Sequence, residues 1–350
     1  MTRNPTARIS TEEGSRAVKV RASAPGKLVV LGEYAVLAGA PALVVAVDRR
    51  CEVALEGLDG PFGEIDVRAP SSQVTRFDAA GPSGLALIDT AAQAVTGHGG
   101  PGAIRAVLDS GRFFAADGRK LGLGSSAAVL SAFAAALQAY DSKEIIAADV
   151  GELIRLHRRL QNGAGSGIDV AAAVCGGLSE FQLDADGNAA VGSVQLPNSV
   201  GFAGIFAGQS AKTTDFVGRF EDWRRAEPSR AAPLLADLAE TSAAGCNAVR
   251  SGDAAGFLAA IDAYGDLLES LGAALRCAVL TNEHRRIAAV AQRYAVRYKT
   301  SGAGGGDLGI AFSEDAAALA ALRDAVAAEG FLYVELGVDG QGLEVEELTE

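Results

Sequence analysis

"KLGLGSSAAVLSAFAAALQAY", residues 120–140, carries the reading of the whole chain. After Lys120 it holds no charge until Asp141, and Gly122, Gly124, Ser125 and Ser126 open directly into a run of Ala, Val, Leu and Phe with the composition of a helix. A helix leaves its first N–H groups unpaired and carries a partial positive charge at that end. Glycines that admit a close approach turn such an end into a cradle for an anion, phosphate above all. Ser125 and Ser126 have two uses open to them: capping the helix through the side chain, or turning the hydroxyl outward to a phosphate oxygen or a Mg2+ ion. Gly122, Gly124 and Ala127 also satisfy G-x-G-x-x-G/A with Asp141 downstream. No clear strand leads into them and no alternating strand-helix series surrounds them, so a dinucleotide fold is not indicated, and the G-x-x-x-x-G-K-[ST] loop is absent.

The run is too short to span a bilayer and reads as a buried core helix. Upstream of it, residues 18–24 alternate in polarity, and residues 28–31, 43–47, 51–55 and 103–108 are short apolar or β-branched runs, which predict strands. Residues 126–140 and 142–160 predict helices, a third helix starts near Asp169 after the loop NGAGSG, and residues 201–207 predict a strand. Most of residues 213–298 has helical spacing, broken near Pro228 and Gly252. A glycine loop, a strand at 308–312, an Ala-rich helix at 314–329 and a strand at 331–336 follow. These elements predict two α+β lobes, 1–190 and 191–350, each long enough for its own core.

A net charge of −12 and a pI of about 4.9 over 350 residues argue against nucleic acid or an anionic membrane as partner, so an anionic ligand must be met locally. The four cysteines, Cys51, Cys175, Cys246 and Cys277, form no C-x-x-C pair, and the polar N-terminal stretch with Glu12 and Glu13 fits neither a secretory signal nor a transit peptide. A reducing, cytoplasmic setting is expected. His98, His157 and His284 share no metal-ligand spacing and read as surface or packing residues.

Two further glycine loops complete the pattern. "SAPGKLVVLGEYAVLAGAPALVV", residues 23–45, sets Lys27 after Pro-Gly at the head of a strand, either facing a cleft or as a solvated turn lysine, with Glu33 as its partner or a surface acid. "KTSGAGGGDLGIAF", residues 299–312, holds five glycines within 302–309, permissive enough to wrap a ligand or to make a turn that binds nothing. Together the three stretches resemble the GHMP kinases, the superfamily of galactokinase, homoserine kinase, mevalonate kinase and phosphomevalonate kinase. They match its P-G-K-hydrophobic, G-L-G-S-S-A and S-G-A-G-G-G motifs in order, over nearly the whole chain. The resemblance implies an α+β GHMP kinase fold: an N-terminal domain like ribosomal protein S5 domain 2, a ferredoxin-like C-terminal domain, and ATP between them with its phosphates over the middle motif.

Phosphoryl transfer asks for positioning and charge neutralisation more than for covalent chemistry. The resemblance assigns ATP-phosphate binding to Lys120, Gly122, Leu123, Gly124, Ser125, Ser126 and Ala127, and Mg2+ to the hydroxyls of Ser125 and Ser126. Asp169, by its own context a helix N-cap, matches the acidic residue that orients or deprotonates the acceptor, with Lys27 assisting. Glu33, Tyr34, Ser166, Lys212, Thr213, Ser301, Gly302, Ala303 and Gly304 fall to substrate binding. Where mevalonate kinases carry a magnesium-binding Glu this chain has Arg158, leaving Mg2+ to serine hydroxyls, the nucleotide and water. "GEYAVLAGAPALVVAVDR" and "GSGIDVAAAVCGG" look most like the phosphomevalonate kinase branch. Arg155, Arg158, Arg159, Lys120 and Lys212 are then either cations for a second phosphate or, for the arginines, a solvated helix face. The expected activity is ATP-dependent conversion of 5-phosphomevalonate to 5-diphosphomevalonate, in the mevalonate route to isoprenoid precursors, by a monomer or homodimer. Mevalonate kinase acting on the 5-hydroxyl, diphosphomevalonate decarboxylase and a non-catalytic ligand sensor are the other readings.

Overall fold

The β-branched runs on either side of Pro25 and of Arg49 belong to two long strands rather than four short ones. A computed structural model describes residues 7–8, 19–163, 165–209 and 213–348. Its first half runs β1 (Ala7–Arg8), β2 (Lys19–Leu31), β3 (Ala42–Gly57), β4 (Phe62–Arg68), β5 (Ser72–Asp78), α1 (Ala86–Thr96), β6 (Ile104–Asp109), α2 (Ser125–Ser142), β7 (Glu144–Ile145), α3 (Val150–Leu160), α4 (Ile168–Cys175), β8 (Leu178–Leu183) and β9 (Ala189–Val194). The second runs β10 (Gly201–Phe206), α5 (Thr213–Ala226), α6 (Pro228–Ser251), α7 (Ala254–Ala274), α8 (Asn282–Arg293), β11 (Arg297–Thr300), β12 (Leu308–Ser313), α9 (Ala316–Ala328), β13 (Leu332–Val334) and β14 (Glu344–Leu348).

One sheet has the order β14-β2-β3-β6-β4-β5. β3 is long enough to pair β8 through residues 42–45 and β6 through residues 52–57. Residues 28–31 and 43–47 are buried throughout rather than in alternation, because both faces of the sheet are covered there. α2 packs on β2 and β3, and this explains its missing charges: alanines 127, 128, 132, 136 and 139 let the helix lie close to the strands, and a helix apolar on all sides is a buried one. The second sheet, β11-β12-β10-β13, is antiparallel and alternates. Ile205 and Ala311 face Ile287, Leu322 and Val326 of α8 and α9, while Phe206, Ile310 and Phe312 join the larger core, where Phe257 of α7 meets Phe312 edge-on at 5.2 Å.

The fold is α+β, as expected, with differences at particular elements. β11 occupies the end of the segment that reads as helical, and α3 begins at Val150, not 142, because Asp149 accepts a hydrogen bond from the Glu152 amide in an Asp-x-x-Glu start. The C-terminal residues form β14, which returns to the edge of the first sheet beside β2. We retain 1–190 and 191–350 as the proposed units, with that last strand crossing between them. No helix among the described residues is long and apolar enough to cross a membrane.

Candidate active site

The site is built where β2 meets the turn before α2. The register of β2 on β3 shifts between Pro25 and Gly26, and just past this break the Lys27 amide donates to the Leu123 carbonyl at 2.9 Å. A Cβ on residue 26 would lie 2.8 Å from that same carbonyl and 2.9 Å from the Phe113 ring, so only glycine lets strand and turn dock. The Lys27 stem then crosses Gly124, which has φ +78° and is the N-cap of α2. No side chain caps this helix. Neither Ser125 nor Ser126 is therefore the capping serine that local context allows, and the first-turn amides are open to a bound anion. Ser126 is exposed, with its Oγ 3.3 Å from His157 Nε2, whereas Ser125 is buried. Leu123 is a core residue whose carbonyl is taken by Lys27, and the Ala127 amide bonds the Gly124 carbonyl at 3.1 Å, so these two shape the turn rather than offer donors. Lys120 is exposed on the approach to the turn and does not line the cleft.

A cleft lies beside this turn, lined by Lys27, Glu33, Tyr34, His157, Ser166 and Asp169 among others. Gly167, not Asp169, is the N-cap of α4. Asp169 stands in the first turn, where the helix end favours an anion, with its Oδ1 3.5 Å from Lys27 Nζ. Lys27 is nearly buried and Asp169 partly open, so the carboxylate is the member of the pair that a ligand reaches. Ser166 is buried and its Oγ accepts from the Ile168 amide at 3.3 Å. Thr213, at the start of α5, also lines the cleft, and Lys212 lies outside the described residues.

Tyr34, Gly302 and Ala303 form one wall with Glu33, but the polar groups there are largely committed to one another. Glu33 is buried and ion-paired with the fully buried Lys299, and it also accepts from the Gly302 amide at 3.3 Å. Neither alternative read for Glu33, partner of Lys27 or surface acid, holds. Burial holds Lys299 below the usual lysine range, and Glu33 opposes that shift. Tyr34, at φ 63°, donates to the Ala303 carbonyl at 2.6 Å, and burial pushes its phenol up. Ser301 donates to the Val29 carbonyl at 2.9 Å, and Gly304 packs against the Val279 backbone. These last two shape the loop and do not line the cleft.

His157 is the residue that sequence reasoning missed. A lone histidine carries no motif, yet helical spacing puts it on the buried face of α3 with Leu153 and Ile154, and this was the available signal. Burial holds its ring below the usual imidazole range; Asp169 opposes the shift and Lys27 adds to it. Of the arginines, Arg155 is solvent-facing beside Glu152 and Arg159 is exposed. Arg158 bonds three main-chain carbonyls, of Gly165, Ser166 and Gly187, so it is neither a solvated residue nor a cation of the cleft.

No group of three or more His, Cys, Asp or Glu residues among those described is placed to hold a metal. The residues present fit a Mg2+ that arrives on nucleotide phosphates and takes a serine hydroxyl, Ser126 being the exposed one, rather than an ion resident in the protein.

Comparison with known proteins agrees with this geometry. Residues 116–177 match the GHMP kinases N terminal domain. The chain is 29% identical to a phosphomevalonate kinase of Streptomyces sp. (strain CL190), over 82% of this chain and 88% of that protein. It is also 29% identical to a mevalonate kinase of Aeropyrum pernix, over 46% of this chain and 50% of that one. Streptococcus pneumoniae phosphomevalonate kinase, solved in complex with phosphomevalonate and AMPPNP, has the same fold, with a TM-score of 0.76 at 22% identity over 91% of this chain and 99% of that one. The glycine-serine turn thus lies inside the segment that matches the GHMP kinases N terminal domain, and the chain is similar over most of its length to ATP-dependent small-molecule kinases of that fold.

Proposed function

We propose that the protein transfers the γ-phosphoryl group of ATP to 5-phosphomevalonate, giving 5-diphosphomevalonate. The observation that carries the choice of acceptor is the single most extensive match: similarity to the Streptomyces phosphomevalonate kinase runs through 82% of the chain, against 46%, 63% and 62% for three mevalonate kinases, while a second phosphomevalonate kinase matches over 45%. In this reading the open amides at 124–126 and the Ser126 hydroxyl hold the nucleotide phosphates, and Lys27 neutralises charge on the group in transfer. Ser125 and Ser126 are the residues that would hold Mg2+, whose charge neutralises the β- and γ-phosphate oxygens when bound. A phosphate acceptor is already largely ionised at neutral pH, so Asp169 chiefly orients it, held in place by its pairing with Lys27.

A second reading rests on a different observation. Lys27 is the only Lys or Arg that lines the cleft among the described residues, which suits an alcohol acceptor, mevalonate, and a fuller use of Asp169 as base. Purified protein with ATP and Mg2+ is to be offered mevalonate, 5-phosphomevalonate and diphosphomevalonate separately while ADP and CO2 are followed. 5-Phosphomevalonate is expected to give the highest kcat/KM, with no CO2 from any acceptor. Preference for mevalonate transfers the assignment to the second reading, and ADP release from none of them removes both.

A further inference from the structure

The residues that deliver Ser166 and Asp169 to the cleft are set between glycines with left-handed backbones. Gly165 and Gly167 sit at φ +90° and +87°, and no side chain caps α4. Besides the loop's own short-range bonds, a planar cation from α3 holds two of its carbonyls. Arg158 Nε donates to the Gly165 carbonyl at 3.1 Å, Nη2 to the Ser166 carbonyl at 2.8 Å, and Nη1 to the Gly187 carbonyl at 2.9 Å. Gly187 belongs to the tight turn between β8 and β9, which is fixed by its own bonds from the Asp184 amide to Asn188 and from the Gly187 amide to Asp184. The guanidinium thus ties the carbonyls of residues 165 and 166 to the hydrogen-bonded turn between β8 and β9. Charge-assisted bonds from three nitrogens to three carbonyls use the arginine fork in a way that a lysine ammonium cannot reproduce.

We propose that Arg158 is a positioning residue: its fork fixes residues 165–166, and through them sets Asp169 against Lys27 for the acceptor. The proposal rests on the kinase reading above, but its structural half is testable without it. It differs from the use of Arg158 as a cation for an acceptor phosphate, since all three donors point at main-chain oxygens and the residue does not line the cleft.

The test compares wild type with Arg158→Lys and Arg158→Met. Amide hydrogen exchange of residues 165–168 is measured on the ligand-free proteins, and KM and kcat are measured separately for the acceptor and for ATP. Both variants are expected to speed exchange in that loop at least about tenfold, and to raise the acceptor KM at least about tenfold while the ATP KM stays within about twofold. Unchanged exchange in ligand-free Arg158→Lys overturns the clamp, whatever the activity. Faster exchange with unchanged acceptor KM and kcat overturns the positioning role. If no acceptor is phosphorylated by the wild type, the kinase reading fails on its own, and the exchange comparison still decides the clamp.

Discussion

Two side chains, Lys27 and Asp169, carry most of the proposed chemistry, and each owes its place to a neighbour that is not reactive. Lys27 reaches the cleft because Gly26 lets β2 touch the Leu123 carbonyl, and Asp169 faces Lys27 because Gly167 takes over the capping position. Asp169→Asn and Lys27→Ala are each expected to lower kcat at least about tenfold, about 1.4 kcal/mol of barrier, in a steady-state ADP assay with the best acceptor. Gly26→Ala tests the support instead of the chemistry. Its methyl would stand 2.8 Å from a backbone carbonyl, so this variant is expected to lose roughly 1–3 kcal/mol of stability in denaturant unfolding and to weaken ATP binding, although residue 26 does not line the cleft. At this scale the sequence was informative where a motif fixes spacing, as in G-L-G-S-S-A, and silent where a residue acts through tertiary contact. Glu33 and Tyr34 stand in a recognisable motif, yet nothing local says that Lys299, far along the chain, pairs with Glu33.

Among the elements, α2 was legible because an uncharged run of that length has no stable place except a core. β4 and β5 were not: exposed positions such as Phe62 and Val74, and charges such as Glu64 and Arg76, blur their alternation, and the strands are defined by pairing with each other and with β6. β11 was overridden by its partner β12 after a helical run that extends nearly to it. The α8–β11 contact carries a pH dependence. His284 Nδ1 lies 2.7 Å from the Tyr298 hydroxyl, Nε2 has no hydrogen-bond partner among the described residues, and burial holds the ring down to about 4 from an ordinary 6.5. Between those values the unfolded chain binds the proton and the folded one does not, so this contribution is intact above pH 6.5 and fades as the pH falls towards 4, by about 3 kcal/mol in all. Burial acts on His157 in the same direction. Thermal unfolding across this window should show Tm falling with pH in wild type and a shallower fall in His284→Gln; equal slopes would remove His284 as the source.

Over the whole molecule, the two larger sheets are joined where the cleft is. Lys299 at the end of β11 is buried against Glu33 of the β2 turn, Tyr264 of α7 donates to the Glu33 carbonyl at 2.7 Å, and Glu33 Oε2 has no hydrogen-bond partner among the described residues. Lys299→Met leaves a carboxylate buried without its cation and is expected to destabilise the fold by about 3–5 kcal/mol in urea unfolding, with part of the loss recovered when Glu33→Gln is added. Equal stability of wild type and Lys299→Met would show that the pair does not hold the lobes together. The central claim is that the turn at residues 124–126 grips the tail of ATP while Asp169 and Lys27 present the acceptor to it. A crystal structure with a non-hydrolysable ATP analogue, Mg2+ and 5-phosphomevalonate tests it most directly. The account predicts the terminal phosphate on the amides of 124–126 and the Ser126 hydroxyl, with the acceptor oxygen beside Asp169 and Lys27; phosphates bound away from that turn, or an acceptor outside the cleft, would contradict it.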